Sequence, residues 1–229
     1  MFADPEAVAR YLDGPPRFMP GYQDVQLMAG VLLSEHVPPF GDVLILGAGG
    51  GLEIKAIAAT HTSWRFTGVD PSAQMLALAR KTLYDTSNQL TYVEGLIEDA
   101  PLGPFDGATC LLTLHFLDIA ERLSTLEKVR QRMRPGAPLV VAHSSFPTGE
   151  PQRRGWIARY AAFAKAAGAP AEMIGIAVEK VSGSLEVLTP TQDEQLMVAA
   201  GFERVEQFYQ GFTWRGWVGY APTSGKKVK

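Results

Sequence analysis

Gly47, Gly49 and Gly51 stand in VLILGAGGGLE, where an apolar run stops against glycine and alanine. Glycine tolerates positive φ and lacks the Cβ that would hold a ligand away from the backbone. A helix starting near Gly51 adds unsatisfied N–H groups for polar or anionic ligand atoms. The spacing is G-x-G-x-G with Leu52 in sixth place, so the dinucleotide fingerprint G-x-G-x-x-G is not met. No Gly-Lys-Ser/Thr follows, which excludes a Walker loop. The second candidate is Asp70, which ends TGVDPS. A carboxylate there can accept both hydrogen bonds of a ribose diol. Capping of the helix around Pro71 is the plain structural alternative, and the two roles are compatible.

Groups able to move a proton or hold charge are few. His115, just past an apolar run, is the best placed general base, with a helix-start or wall residue as the competing reading. His143 comes next. Arg17 suits a carboxylate or an exposed loop equally. Trp156, Phe163, Trp214 and Trp217 suit either an apolar acceptor pocket or the core. Cys110 is the only cysteine and lies in the apolar run 108–112, so a buried structural thiol is expected and no disulfide framework. The four histidines have no HxH, HxxxH or HExxH spacing, and no metal site is expected.

The elements that must position these residues are legible as alternating patterns. Apolar runs at 42–46, 65–69, 90–93, 108–112 and 138–142 read as buried strands. Between them, 52–59, 72–84 and 119–133 carry helical spacing, the last ended by Pro135-Gly136. A helix over 191–200 precedes two alternating segments, 203–209 and 212–220, joined at Gln210-Gly211. This predicts an α/β fold: a Rossmann-like doubly wound sheet of about seven strands. It carries an antiparallel C-terminal hairpin strand, N-terminal helices and a helical lid insertion. One domain, 1–220, is expected, with an N-terminal cap over 1–37 and a lid over 145–188. A polar, disordered tail over 221–229 follows. The cap holds the proline-rich loop DGPPRFMPGY and a helix over 24–33; the lid holds an Ala-rich helix and a Gly/Ser/Val-rich segment. Arg130, Arg132 and Arg134 read as a solvated helix end.

With 229 residues, 46% hydrophobic and 20% charged, and a net charge of −3, the chain reads as globular. There is no broad basic field for nucleic acid. MFADPEAVARYLDG lacks a signal-peptide profile, and no apolar run approaches the roughly 20 residues that span a bilayer. A cytoplasmic setting is expected.

GAGGG, GVDPS, YVEGLIEDAP, FDGATCLLTLHFL and QRMRPGAPLVVAHSS occur in the order of the class I S-adenosylmethionine-dependent methyltransferase motifs, across 43–145. The chain resembles that class. More closely, it is similar to the carboxy-S-adenosylmethionine synthase family and related small methyltransferases. RFMPGY resembles that family's R-x-x-P-G-Y, LLTLHFL its N-F-T-L-Q-F-L, and AAGFERVEQFYQGFTWRGWVGY its closing segment.

The resemblance implies S-adenosylmethionine as cofactor, with Tyr22 in contact with it. Gly47 and Gly49 would lie along its methionine portion, in the loop that Gly51 completes. Asp70 and Pro71 would sit at the ribose, Leu96 and Ile97 beside the adenine, and the Leu111 backbone near the methionine end. Four departures stand out. Ile45 replaces the usual first-strand acid, Leu96 an aspartate and Leu111 an asparagine. The lid stretch AVEKVSGSLEVLTP has no arginine for the synthases' extra carboxylate, only Lys180, which lacks the bidentate fork.

The expected function is methyl transfer to a small or medium organic acceptor by in-line displacement. The protein aligns the partners and excludes water, and a base is needed only for a protonated acceptor. A carboxy-S-adenosylmethionine synthase-like enzyme, a non-catalytic S-adenosylmethionine-binding protein and an NAD(P)-dependent reductase are the alternatives. The partner expected is a small-molecule substrate, with no membrane, and a homodimer is compatible.

Overall fold

A computed structural model describes residues 14–223. Seven strands form one sheet in the order β3-β2-β1-β4-β5-β7-β6. The parallel part is β1 (Asp42–Leu46), β2 (Arg65–Asp70), β3 (Leu90–Glu94), β4 (Gly107–Leu111) and β5 (Pro138–Ser144). The antiparallel part is β6 (Glu203–Gly211) and β7 (Trp214–Tyr220), with β7 paired along its whole length to β5.

Among the described residues, eight helices flank this sheet. They are α1 (Pro15–Phe18), α2 (Tyr22–Ser34), α3 (Leu52–Ala58), α4 (Ala73–Thr82), α5 (Ile119–Gln131), α6 (Gln152–Ala166), α7 (Ala171–Glu179) and α8 (Pro190–Ala199). Strand side chains alternate between the two faces, as the pleat demands. Val43 and Ile45 join Ala29, Leu33, Ile54 and Ile57 in one core, under α2 and α3. Leu44 and Leu46 join Leu126, Val129 and Met197 in the other, under α5 and α8. At about 25 cal/mol per Å² of apolar area, two such layers supply the dominant stabilising contribution.

The parallel strands follow the apolar runs to within two residues at each end. Other expectations are corrected. The hairpin turns at Phe212-Thr213, not at Gln210-Gly211, because Gly211 still pairs with Trp214. Phe212 takes φ +51, a conformation that points to glycine or asparagine in a sequence reading. β7 does not alternate: all seven residues are buried, since β5 and β6 flank it and both faces are covered. The proline-rich loop contains the helical turn α1. The Gly/Ser/Val-rich lid segment contains α7, followed by a π-helical turn at Lys180–Ser184. Arg132 is buried rather than solvated, donating toward the carbonyls of Ala100, Lys128 and Glu98. Of the expected tail, Ala221 is buried and bonded to Ala137, while 224–229 lie outside the described residues.

Candidate functional site

Strand order reverses between β1 and β4, and the glycine loop leaves β1 at that point. In an open α/β sheet this is where a ligand crevice forms, beyond the carboxyl ends of the strands. The N–H groups of Gly47 and Ala48 donate to Val69 O at 2.9 and 3.0 Å, lashing the loop to β2. Gly47, Gly49 and Gly51 take φ of +77°, +51° and +82°, which glycine adopts without strain. A Cβ on Gly47 would collide with the Thr113 side chain, and one on Gly51 would crowd Ala79 and Leu83. Gly51 therefore serves the packing of α4 against the loop.

Asp70 closes β2 and is 8% exposed. Its Oδ2 accepts from Gly49 N and its Oδ1 from Ser72 N, both at 2.9 Å. Burial pushes this carboxyl above its usual range, while the two N–H bonds pull it back. The cap of α4 is Ser72, whose Oγ accepts from Met75 N at 3.2 Å. Asp70 instead fixes the spacing between the glycine loop and the turn into α4.

A small cleft opens beside the loop. Tyr22 and Gln26 of α2, Gly47 and Gly50 of the loop, Glu53 of α3, and Leu111 with Leu112 after β4 line it. Left-handed Gly21 starts α2 and so sets Tyr22 in its first turn, at the cleft. Leu112 holds φ +57, an outlier for a bulky residue of the kind that clusters at ligand sites.

Of the residues singled out in sequence, Tyr22, Gly47 and Leu111 meet in this cleft. Gly49, Gly51, Asp70 and Pro71 form the adjoining loop and turn. Leu96 and Ile97 follow β3; Leu96 is 56% exposed and Ile97 is buried. Gly95 N bonds Asp70 O at 3.1 Å, tying this segment to the end of β2.

Glu53 was not legible as a site residue. It is 7% exposed, and the Thr109 hydroxyl of β4 donates to its Oε1. Burial drives its carboxyl up to about 8, with only the Thr109 bond opposing. An acid in a helix's first turn ordinarily reads as a solvated, dipole-favoured residue, and its partner lies in a strand far along the chain.

The other candidates face elsewhere. His115 is 4% exposed, wedged between Phe116 and Trp214. Burial, then the fields of His143 and Arg122, lower it to about 3, so its imidazole is neutral. His143 is buried beside Asp193. Arg17 donates to Gly168 O at 2.7 Å, at the end of α6. Trp214 belongs to the core under α2 and Trp217 to the opposite one, while Phe163 tilts against Phe212. Among the described residues no cluster of His, Cys, Asp or Glu could hold a metal ion.

The cleft residues fit S-adenosylmethionine in kind. A loop of glycine and alanine allows close backbone approach, Asp70 offers acceptor lone pairs, and the buried Glu53 carboxyl lines the cleft.

Comparison with known proteins agrees with this geometry. A family profile described as a methyltransferase domain matches residues 44–139. The carboxy-S-adenosyl-L-methionine synthase of Chromohalobacter salexigens is 29% identical over 214 residues, covering 90% of this chain and 78% of that protein. A putative O-methyltransferase from Nostoc punctiforme superposes with a TM-score of 0.67 at 19% identity, over 94% of this chain. Human N-acetylserotonin methyltransferase in complex with SAM superposes at 0.63 and 16% identity, over 96% of this chain. The chain spans 60% and 57% of the lengths of these two structures. Residues 44–139 thus match a methyltransferase domain, and the chain, with its motifs in order on a seven-stranded sheet, is similar in sequence and fold to S-adenosylmethionine-dependent methyltransferases.

Proposed function

We propose that this protein transfers a methyl group from S-adenosylmethionine to a small or medium organic acceptor. The observation that carries this reading is the convergence of Tyr22, Gly47 and Leu111 on one cleft at the switch point, beside Asp70. Gly47, Gly49 and Leu111 would hold the methionine end, Asp70 and Pro71 the ribose, and Leu96 and Ile97 the adenine. Gly51 contributes by seating α4. S-adenosylmethionine supplies a methyl group on a sulfonium. The chain's own residues position the reactants and exclude water, contributions that can remove most of such a barrier. His115 is turned into the core, so the reading routes no proton through it. It suits an acceptor that is nucleophilic at neutral pH without a protein base.

The likeness to the Chromohalobacter synthase along 90% of this chain favours a second reading, chemistry on a carboxylated S-adenosylmethionine. The arginines that reach the lid segment are engaged: Arg153 with Val181 O and Ser182 O, Arg122 with Glu186 O and Asp193. Lys180, half-buried at the start of the π turn, is left as the cation for such a carboxylate. A point charge without a fork serves that role poorly, so plain methyl transfer leads.

The test is a calorimetric and melting comparison of S-adenosylmethionine, its carboxylated derivative and NADH. We expect S-adenosylmethionine to bind at least as tightly as the derivative and to raise Tm by several degrees at saturation, about 2–4 °C per kcal/mol. Strong preference for the carboxylated form would restore the synthase reading, and binding of NADH alone would overturn both. The setting we infer is the cytoplasm, supported by the buried free thiol of Cys110. No helix among the described residues is long and apolar enough to cross a membrane. Leu27 and Val31, exposed on α2, offer apolar surface for a homodimer.

A further inference from the structure

We propose that Glu53 binds the amino-acid ammonium of S-adenosylmethionine, taking over from the acid that β1 lacks at Ile45. This rests on the cofactor reading given above. Ile45 is fully buried in the core beneath α2 and α3, and no carboxylate reaches the cleft from β1. In the first turn of α3, two residues past Gly51, Glu53 lines the same cleft as Gly47 and Leu111. The Thr109 hydroxyl fixes one carboxylate oxygen, and Glu53 makes no other hydrogen bond or ion pair among the described residues. Thr109 sits on the face of β4 that carries Leu111, so the hydroxyl aims the carboxylate from below.

The titratable groups nearest the cleft side of Glu53 are Tyr22 of α2, Asp70 at the end of β2 and Cys110 of β4, a phenol, a carboxyl and a thiol. The cations on the surrounding elements are engaged elsewhere or exposed: Lys55 reaches Thr82 O, Arg65 pairs with Asp42, Arg80 lies over Tyr92 and Lys81 is exposed. A buried carboxylate without a cation is costly, and the group escapes that cost by keeping its proton. The free protein therefore holds Glu53 as a neutral acid bonded to Thr109, with its carboxyl near 8. A docking ammonium provides the missing partner. The carboxyl O–H bond then breaks, the proton leaves to solvent, and a carboxylate–ammonium pair forms.

Calorimetry on the full chain, in buffers of different ionisation enthalpy, reads both affinity and protons. The ligands are S-adenosylhomocysteine, which carries the ammonium, and methylthioadenosine, which has the same nucleoside and thioether without it. The parent should release about one proton on binding S-adenosylhomocysteine at pH 7, with affinity rising about tenfold per pH unit up to the carboxyl's own pKa. Glu53→Gln keeps the volume and a bond to Thr109. It should bind S-adenosylhomocysteine about 10- to 150-fold more weakly, release no proton, and bind methylthioadenosine as the parent does. Unchanged S-adenosylhomocysteine affinity, persistent proton release, or equal loss of both ligands would each overturn the proposal. No binding of S-adenosylhomocysteine to the parent would instead overturn the cofactor reading beneath it.

Discussion

Two buried carboxyl groups, Asp193 and Glu53, lie on opposite faces of the sheet and keep different company. Asp193 of α8 meets the wholly buried Arg122 of α5, whose Nη1 lies 3.2 Å from its Oδ1. His143 Nε2 of β5 approaches the same oxygen at 3.0 Å, without hydrogen-bond geometry. Arg122 also donates to Leu117 O and Glu186 O. One guanidinium thus joins α5, α8 and the end of the lid. Glu53 has a single hydroxyl and an opening onto the cleft. A buried charge with its counter-ion is part of the scaffold; a buried acid without one is free to respond to what enters.

The sharpest way to break this contrast is to remove the counter-ion. Arg122→Leu leaves Asp193 buried and uncompensated, which costs about 3–5 kcal/mol. At about 2–4 °C per kcal/mol, Tm should fall by roughly 6–20 °C. Adding Asp193→Leu should recover much of the loss, because the stranded charge is gone. Denaturant unfolding of both variants decides it. A single variant no weaker than the parent would make Asp193 and Glu53 alike.

Asp70 lies between the two cases, since both its oxygens accept backbone N–H groups. Asp70→Ala is expected to lower S-adenosylhomocysteine affinity about 10- to 150-fold, from about 1.5–3 kcal/mol for hydrogen bonds to a charged group. It should also lower Tm, because Gly49 and Ser72 lose their tether. Loss of Tm with unchanged affinity would leave Asp70 a loop residue only.

The smallest effect is a slope. Glu53 is raised from its ordinary 4.5 to about 8, so between these values the folded protein holds a proton that the unfolded chain does not. Stability therefore falls as pH rises through that window, by up to about 1.4 kcal/mol per unit. Glu53→Gln should be flatter than the parent between pH 5 and pH 8, and more stable at the upper end. Asp70 is raised too, so the difference between the two proteins, rather than either slope, is the measurement. Equal slopes would return Glu53 to the ordinary solvated acids.

The parallel half of the fold was legible because buried strands are short apolar runs and the glycine loop announces its own turn. The rest hid for identifiable reasons. α7, AEMIGIAVE, has no side-chain cap and no fully buried residue, so neither a start signal nor a stripe marks it. The hairpin turn sits on Phe212, where local chemistry argues for its glycine neighbour. Arg132 reads as surface because two of the carbonyls it serves, Glu98 O and Ala100 O, belong to another segment. At the site, Gly47, Asp70 and Tyr22 were visible through the motifs that contain them. Glu53 was not, since its meaning comes from Thr109 across the sheet and from burial that no local pattern records.

β7 lies inside the sheet between β5 and β6, yet it is synthesised long after β5. At about 5–20 residues per second, the interval is on the order of ten seconds. Throughout it, β5 presents an unpaired apolar edge, the kind of template that recruits other chains. Newborn molecules are therefore sticky until Trp214–Tyr220 arrives and docks. Chaperone demand during synthesis, rather than the finished protein's stability, would then set how much of it accumulates in a cell.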